Sequence, residues 1–422
     1  MFTLGFRCVN CKTIFPLRSE FFICPKCGLE KINGISVIRG ITEVEYDYDA
    51  LAASISKERF AKRPSGLWRY RELLGFSGED AVISLGEGGT PLVKCRRLAD
   101  ALGIKNLWLK NETQNPTHSF KDRESVLAVT RALQEHATRV SCVSSGNAAA
   151  SLAAYAARAG LDCFVLAPAT APEPKIHQCA VYGAKTLLVN GLYEDIFEPY
   201  IEAVRGLEIC ECSSGHNRFK TEGDKTIAHE ICEQLGWRSP DWVVDNVGNG
   251  THLYGTWKGF RELTRLGLTR DLPRMAAAGP LGGSPIVEGF KEGTALPLTT
   301  CRESIADALV GRWCYDASLA LGALKESSGH AEYVSNNEIL EAMKLLASLE
   351  GIFAEPSGAA SVACLQKMLR TGVVDSREDI VCVITGSGLK QPRSSRKISK
   401  KPIHVRASTA AIRSALERDS RR

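Results

Sequence analysis

The strongest constraint on this 422-residue chain is a rhythm that starts near Leu107, where short apolar runs begin to alternate with helix-patterned segments. Asn106–Lys110, Arg139–Val143, Asp162–Leu166, Lys185–Val189, Glu208–Glu211, Trp242–Asn246, Arg274–Ala278 and Asp379–Thr385 read as strands. Ala148–Arg158 and Ile227–Leu235 read as helices between them. That alternation implies βα units and an α/β fold with mainly parallel, doubly wound sheets. The length asks for two or three packed units rather than one.

The ends of these strands carry the chemistry. Asn111-Glu-Thr-Gln-Asn-Pro-Thr-His-Ser-Phe-Lys-Asp-Arg123 follows a strand and opens a helix, with Lys121 at the junction. A lysine there meets the positive end of a helix dipole, and in a dry pocket its charged form is disfavoured further, so its amine becomes nucleophilic. That is what a Schiff-base lysine requires. Ser144-Ser-Gly-Asn-Ala148 places small residues and one amide at another strand end, where a flat ring could pass the backbone. Gly248-Asn-Gly-Thr251 follows a third strand and precedes a helix, so its N–H groups can converge on a phosphate. Thr385-Gly-Ser-Gly-Leu-Lys390 ends a fourth. One such turn is only a turn; four at one sheet edge predict a cofactor site.

The first forty residues read differently. Cys8 and Cys11, then Cys24 and Cys27, form two Cys-x-x-Cys pairs in a segment too short to build a core, with candidate strands at Thr13–Pro16 and Glu20–Ile23. Four sulfurs suit a structural, tetrahedral Zn2+ and leave no open position for a catalytic water. Four reduced thiols without metal are the alternative. The remaining cysteines, of 15 in all, fall mostly in apolar stretches where a thiol acts as a small hydrophobe.

Composition narrows the rest. A net charge of +5 sits largely in a basic tail from Lys390 to Arg422, which argues against a nucleic-acid partner. No apolar run reaches the roughly 18 residues that cross a bilayer, and no positively charged leader precedes an apolar stretch, so a cytoplasmic protein without a membrane partner is expected.

Taken together, Ser65-Gly-Leu-Trp-Arg-Tyr70, Leu85-Gly-Glu-Gly-Gly-Thr-Pro91, the Ser119–Arg123 box, Ser145–Gly160, Gly248–Thr251, Glu355-Pro-Ser357 and Thr385-Gly386 resemble threonine synthase and its relatives. The resemblance implies the tryptophan synthase β-like pyridoxal-phosphate fold, with two α/β lobes and an N-terminal zinc-ribbon-like module. The expected divisions are 1–40 for the module, 41–91 for an arm on the large lobe, 92–190 for the smaller lobe with Lys121, 191–395 for the large cofactor lobe, and 396–422 for the tail. It makes Lys121 the cofactor-bearing lysine, with Phe120 close by and Asn147 bonded to the ring hydroxyl. Gly248, Asn249, Gly250 and Thr251 would cradle the cofactor phosphate, and Thr385 would face the pyridine nitrogen. A neutral partner at that nitrogen makes a weaker electron sink than a carboxylate does.

The resemblance also implies the chemistry. A substrate amine displaces Lys121, the freed amine removes the α-proton, and a β- or γ-leaving group departs. In threonine synthases, phosphate leaves the γ-carbon of O-phosphohomoserine and water adds at the β-carbon. Ser144, Ser145, Ala148, Arg218, Lys220 and His252 fall at positions that would face the small-molecule amino-acid substrate. The chain departs from the family pattern there: Ala148 stands where Thr is usual, Arg218 for Pro, Lys220 for Arg, and Thr251-His252 where Asn closes the glycine loop. His118 stands for Gly and Ser387 for His. A true threonine synthase, a paralogue eliminating or replacing a group on another amino acid, and a non-catalytic binding protein of the same fold are the three readings. A homo-oligomer is implied by the resemblance alone.

Overall fold

The structure is a computed structural model that describes residues 2–32, 35–76, 82–144, 146–191, 193–294, 298–300 and 303–419. Two sheets organise the catalytic body. A six-stranded sheet runs in the order His330–Val334, Arg274–Pro280, Trp242–Asn246, Asp379–Ile384, Asn106–Asn111, Leu92–Lys94. All its pairings are parallel except the last, where Leu92 opposes Lys110. A four-stranded, all-parallel sheet runs Lys185–Val189, Asp162–Pro168, Arg139–Val143, Cys210–Glu211. Helices cover both, as the alternation predicts, and the strands Asn106–Asn111, Arg139–Val143 and Trp242–Asn246 start where the sequence placed them.

The lobes divide differently from the sequence expectation. Leu92–Lys94 and Asn106–Asn111 belong to the six-stranded sheet, so the stretch from 92 to 111 is part of the larger unit. Cys210–Glu211 crosses back into the four-stranded sheet, beyond the expected boundary at 190. Chain order misleads because parallel strands take neighbours from distant segments: Asp379 pairs with Asn106. The strand His330–Val334 was not anticipated; five residues interrupted by His330 and Glu332 carry little apolar signal.

The N-terminal module extends past residue 40, since Thr3–Cys8 pairs antiparallel with Thr42–Tyr46. Glu20–Ile23 is not a strand: Ser19–Phe21 is a short 3-10 turn, and only Ile23 makes a bridge, to Ile41. Its phenylalanines serve packing instead. Phe22 is buried against Phe6 at a ring distance of 5.6 Å, a use of aromatic residues that strand propensity does not distinguish.

Helices are held by ordinary local physics. Asn147–Ala159 is alanine-rich, which costs little side-chain entropy, and stops at Gly160, whose φ of +70° closes the helix. Asn336–Glu350 begins with a full capping box between Ser335 and Glu338. Pro356–Arg370 is buried along most of its length behind the six-stranded sheet. Among the described residues no helix is long and apolar enough to cross a membrane.

Candidate active site

The carboxyl ends of strands from both sheets face one cleft of about 220 Å3. Phe120, Lys121, Ser144, Gly146, Asn147, Ala148, the whole Gly248–His252 turn and Thr385 line it. Strand ends gather these residues because each leads directly into a turn: Val143 into Ser144, Asn246 into the glycine loop, Ile384 into Thr385. Ser145 lies outside the described residues.

The lysine box divides its labour among adjacent residues. Lys121 is the first residue of the helix Lys121–Gln134 and its ammonium lies 4.3 Å from the centre of the Phe120 ring. Asp122 points the other way and takes bonds from the Thr117 amide at 2.6 Å, the Thr117 hydroxyl at 2.5 Å and Ser151 at 2.7 Å. Burial pushes its carboxyl up, against those hydrogen bonds. Arg123 is fully buried in a network with Glu112 at 2.7 Å and Glu230 at 2.6 Å, which Lys110 joins. The amide of Phe120 donates to Thr385 O at 3.0 Å, tying the box to the last glycine turn. His118 adopts φ +66°, a left-handed conformation that glycine takes more readily than any residue with a side chain.

Two helix N-termini aim at the cleft. Thr251–Arg265 is entered through Gly250 at φ +92°, and no backbone or side-chain acceptor among the described residues takes the N–H groups of 249–253. Asn147–Ala159 presents its first N–H groups from the other sheet. Both are ready-made anion sites. A methyl group at Gly248 would meet Ala308 O at 2.7 Å, so the cradle admits no side chain there. Asp316 locks it from behind, accepting from the Thr251 hydroxyl at 2.7 Å and donating its own N–H to Asn249 O at 3.1 Å.

Asn147 donates to the buried Glu355 carboxylate at 2.7 Å, and its own amide oxygen is buried without a partner among the described residues. The Thr385 hydroxyl accepts from Asn246 at 3.1 Å. His252 stacks obliquely on Phe120 with ring centres 4.2 Å apart. Its Nδ1 lies 2.5 Å from an Asp245 carboxylate oxygen, although neither ring nitrogen meets hydrogen-bond geometry with a partner among the described residues.

Two expected substrate ligands are displaced from that role. Arg218 is 2% exposed and bound to Asp316 at 2.7 Å, and Lys220 is fully buried 3.4 Å from Glu124; neither lines the cleft. Each found a carboxylate some 96–98 residues away in sequence, which no local pattern announces. Besides Lys121, a second cation approaches the cleft that was not foreseen. The Lys175 ammonium lies 3.6 Å from Asp307 and 3.8 Å from Glu355, both cleft residues, and 3.7 Å from where a side chain on Gly146 would sit. Glu124 was also missed, although its place three residues after Lys121 puts it on the same helix face.

Residues 83–386 match the family of pyridoxal-phosphate dependent enzymes. The threonine synthase of Methanocaldococcus jannaschii is 40% identical over 414 residues, covering 97% of this chain and 99% of that protein. The threonine synthase of Methanosarcina acetivorans is 38% identical over 412 residues, covering 97% and 98%. This chain belongs to the threonine synthase family of pyridoxal-phosphate-dependent enzymes. Solved structures place the fold: threonine deaminase isoform 2 from Solanum lycopersicum superposes with a TM-score of 0.65 at 21% identity, covering 80% of this chain and 95% of that one. Serine racemase from Dictyostelium discoideum gives 0.60 at 24%, covering 71% and 92%. The fold is the tryptophan synthase β-like one that the sequence implied.

The site of this family member fits pyridoxal phosphate on its own terms. N–H groups and an amide oxygen without partners among the described residues edge the same cavity as a threonine hydroxyl, and Lys121, at a helix start, opens into it. The N-terminal cysteines pass a similar test. Their sulfurs lie within 4.8 Å of one another, with Cys8–Cys27 at 3.8 Å and Cys11–Cys24 at 3.7 Å. A tetrahedron with metal–sulfur bonds of about 2.3 Å has edges of about 3.8 Å, whereas a disulfide needs about 2.05 Å.

Proposed function

We propose that this chain is a threonine synthase, converting O-phospho-L-homoserine and water to L-threonine and inorganic phosphate. The observation that carries the reading is Lys121 at the mouth of a helix, in one cleft with two unpaired helix N-termini. Near-full-length likeness to threonine synthases supplies the substrate.

Bound in that cleft, pyridoxal phosphate supplies an electron sink for negative charge developing on an amino-acid substrate. The chain's own residues do the rest. Lys121 would carry the cofactor and, once freed, would serve as the base that takes the α-proton. The N–H groups of the Gly248–Thr251 turn would hold the cofactor phosphate, and Asp316 fixes the turn through the Thr251 hydroxyl. Asn147 would serve the ring hydroxyl, Thr385 the pyridine nitrogen, and Phe120 would wall one side. The substrate carboxylate lies at Ser144 and the first N–H groups of the Asn147 helix, with Ala148 adding no hydroxyl of its own. His252 lies against Phe120 on the same wall of the cleft. Zinc on Cys8, Cys11, Cys24 and Cys27 is structural, and the protein acts in the cytoplasm as a homo-oligomer.

One observation favours a second reading, a paralogue acting on an amino acid with a different leaving group. Arg218 and Lys220 are paired with carboxylates away from the cleft, and Lys175 lies instead beside the cleft carboxylates Asp307 and Glu355. The deciding experiment is an absorbance spectrum of the purified enzyme, alone and with O-phosphohomoserine, while phosphate and threonine are assayed. A cofactor band that shifts and yields threonine establishes the synthase. A band without turnover refutes it in favour of the paralogue, and no band at all leaves a binding protein.

A further inference from the structure

Glu124 sits where no expected role requires a charge. It is fully buried, one helical turn from Lys121, and one carboxylate oxygen contacts the Lys121 ammonium. The other oxygen accepts from the Ser214 hydroxyl at 2.5 Å and lies 3.4 Å from the Lys220 ammonium. A buried carboxylate is costly unless it is paired and hydrogen-bonded, and this one is paired twice. The second pairing is the informative one. A lysine that carries a cofactor must leave its counter-ion and return, and a carboxylate with one partner would be stranded each time. Lys220 keeps Glu124 paired in both states.

We propose that Glu124 is a positioning residue that holds, as an ion pair, the proton Lys121 acquires from the substrate α-carbon. The inference rests on the reading of Lys121 as cofactor carrier and base. When the Cα–H bond breaks, its electron pair stays with the substrate and its proton passes to Lys121 Nζ; the ammonium so formed faces the Glu124 carboxylate. Abstraction is thereby favoured, because the charge it creates already has a partner.

The surroundings agree. Lys220 and Asp224 face the pair from the segment Phe219–Asp224 and Ser214 from the turn before it, while Asp245 acts on Asp224 from beyond and contacts His252. Burial, and then the charge of Glu124, push Asp224 well above the usual carboxylate range, so that it stays protonated and does not compete for the ammonium. Its two oxygens have no partner among the described residues. Burial alone would raise Glu124, but the charges of Lys121 and Lys220 outweigh it and bring its carboxyl to about 2, so it is ionised throughout the working range.

The test separates two effects of opposite sign. Only a neutral amine condenses with an aldehyde, so Glu124→Gln should make the full-length, cofactor-stripped chain combine with pyridoxal phosphate faster at neutral pH. The pH midpoint of that reaction should fall by about one unit or more. The same variant should turn over O-phosphohomoserine about 10- to 100-fold more slowly, with an increased isotope effect from 2-deuterated substrate. Glu124→Asp should lie between the parent and Glu124→Gln in both measurements, and it decides the matter alone if Glu124→Gln does not fold. A midpoint within about 0.3 units of the parent, or condensation and turnover both slowed, overturns the proposal. Borohydride reduction followed by peptide mapping keeps the two readings apart: cofactor fixed elsewhere than Lys121 in the parent would sink the carrier assignment itself.

Discussion

Replacing Asp316 by alanine tests the claim that Arg218 serves the scaffold. Asp316 is fully buried and takes the Arg218 guanidinium at 2.7 Å and the Thr251 hydroxyl at 2.7 Å. Removing it leaves a guanidinium that is 2% exposed without its counter-ion, for which the cost is about 3–5 kcal/mol. Arg218→Met strands the carboxylate instead and should cost about 3 kcal/mol, less the packing its stem retains. The double variant buries no unpaired charge, so it should lose about 3–4 kcal/mol rather than the sum of about 6–8, a coupling of roughly 3 kcal/mol. Urea unfolding of the four cofactor-stripped chains, followed by tryptophan fluorescence, reads these values. The reasoning fails if Arg218→Met is as stable as the parent to within about 1 kcal/mol yet raises the KM for O-phosphohomoserine tenfold, the signature of a substrate ligand.

Two further outcomes are expected. Chelation should remove one zinc per chain and lower Tm by about 5 °C or more, with activity lost only as the protein unfolds; instant inactivation at unchanged Tm would make the metal catalytic. Glu124, whose folded carboxyl is held at about 2, contributes stability that is complete above about pH 4.5 and is lost as pH falls through 2. Glu124→Gln should therefore flatten acid unfolding across that window in a pH-stepped melt, and an unaltered acid limb would contradict the ion pairing.

The sequence was legible where its signal was local. Strand and helix period, glycine at the turns and lysine after Ser119-Phe120 each depend on neighbours within a few residues, and the structure places all of them at one cleft. It was illegible where the partner lies far along the chain. Lys220 and Arg218 look like anion ligands until Glu124 and Asp316 are seen to hold them. The lobe boundary failed for the same reason, since the sheet joins Asn106–Asn111 to Asp379–Ile384. Glu124 is the exception: spacing alone put it beside Lys121, but an acid in the first turn of a helix also has an ordinary explanation in the helix dipole.

The same long-range logic accounts for an N-terminal module remote from the chemistry. Phe219–Asp224 is six residues long, too short to be stable as an isolated helix, yet it carries Lys220 and follows Arg218. The module supplies what the segment lacks. Phe6 packs on Phe219 with ring centres 5.3 Å apart, Phe22 reaches Phe219 at 6.1 Å and His216 at 5.8 Å, and the Tyr46 hydroxyl donates to Glu222 at 2.8 Å. Phe22 is two residues from Cys24, so the four-cysteine cluster sets the position of the ring that pins the short helix. Through that helix it sets Lys220 against Glu124 and Arg218 against Asp316, which between them hold the lysine and the glycine turn. A metal held by those four sulfurs would thus, without meeting substrate, fix the geometry of the residues that do.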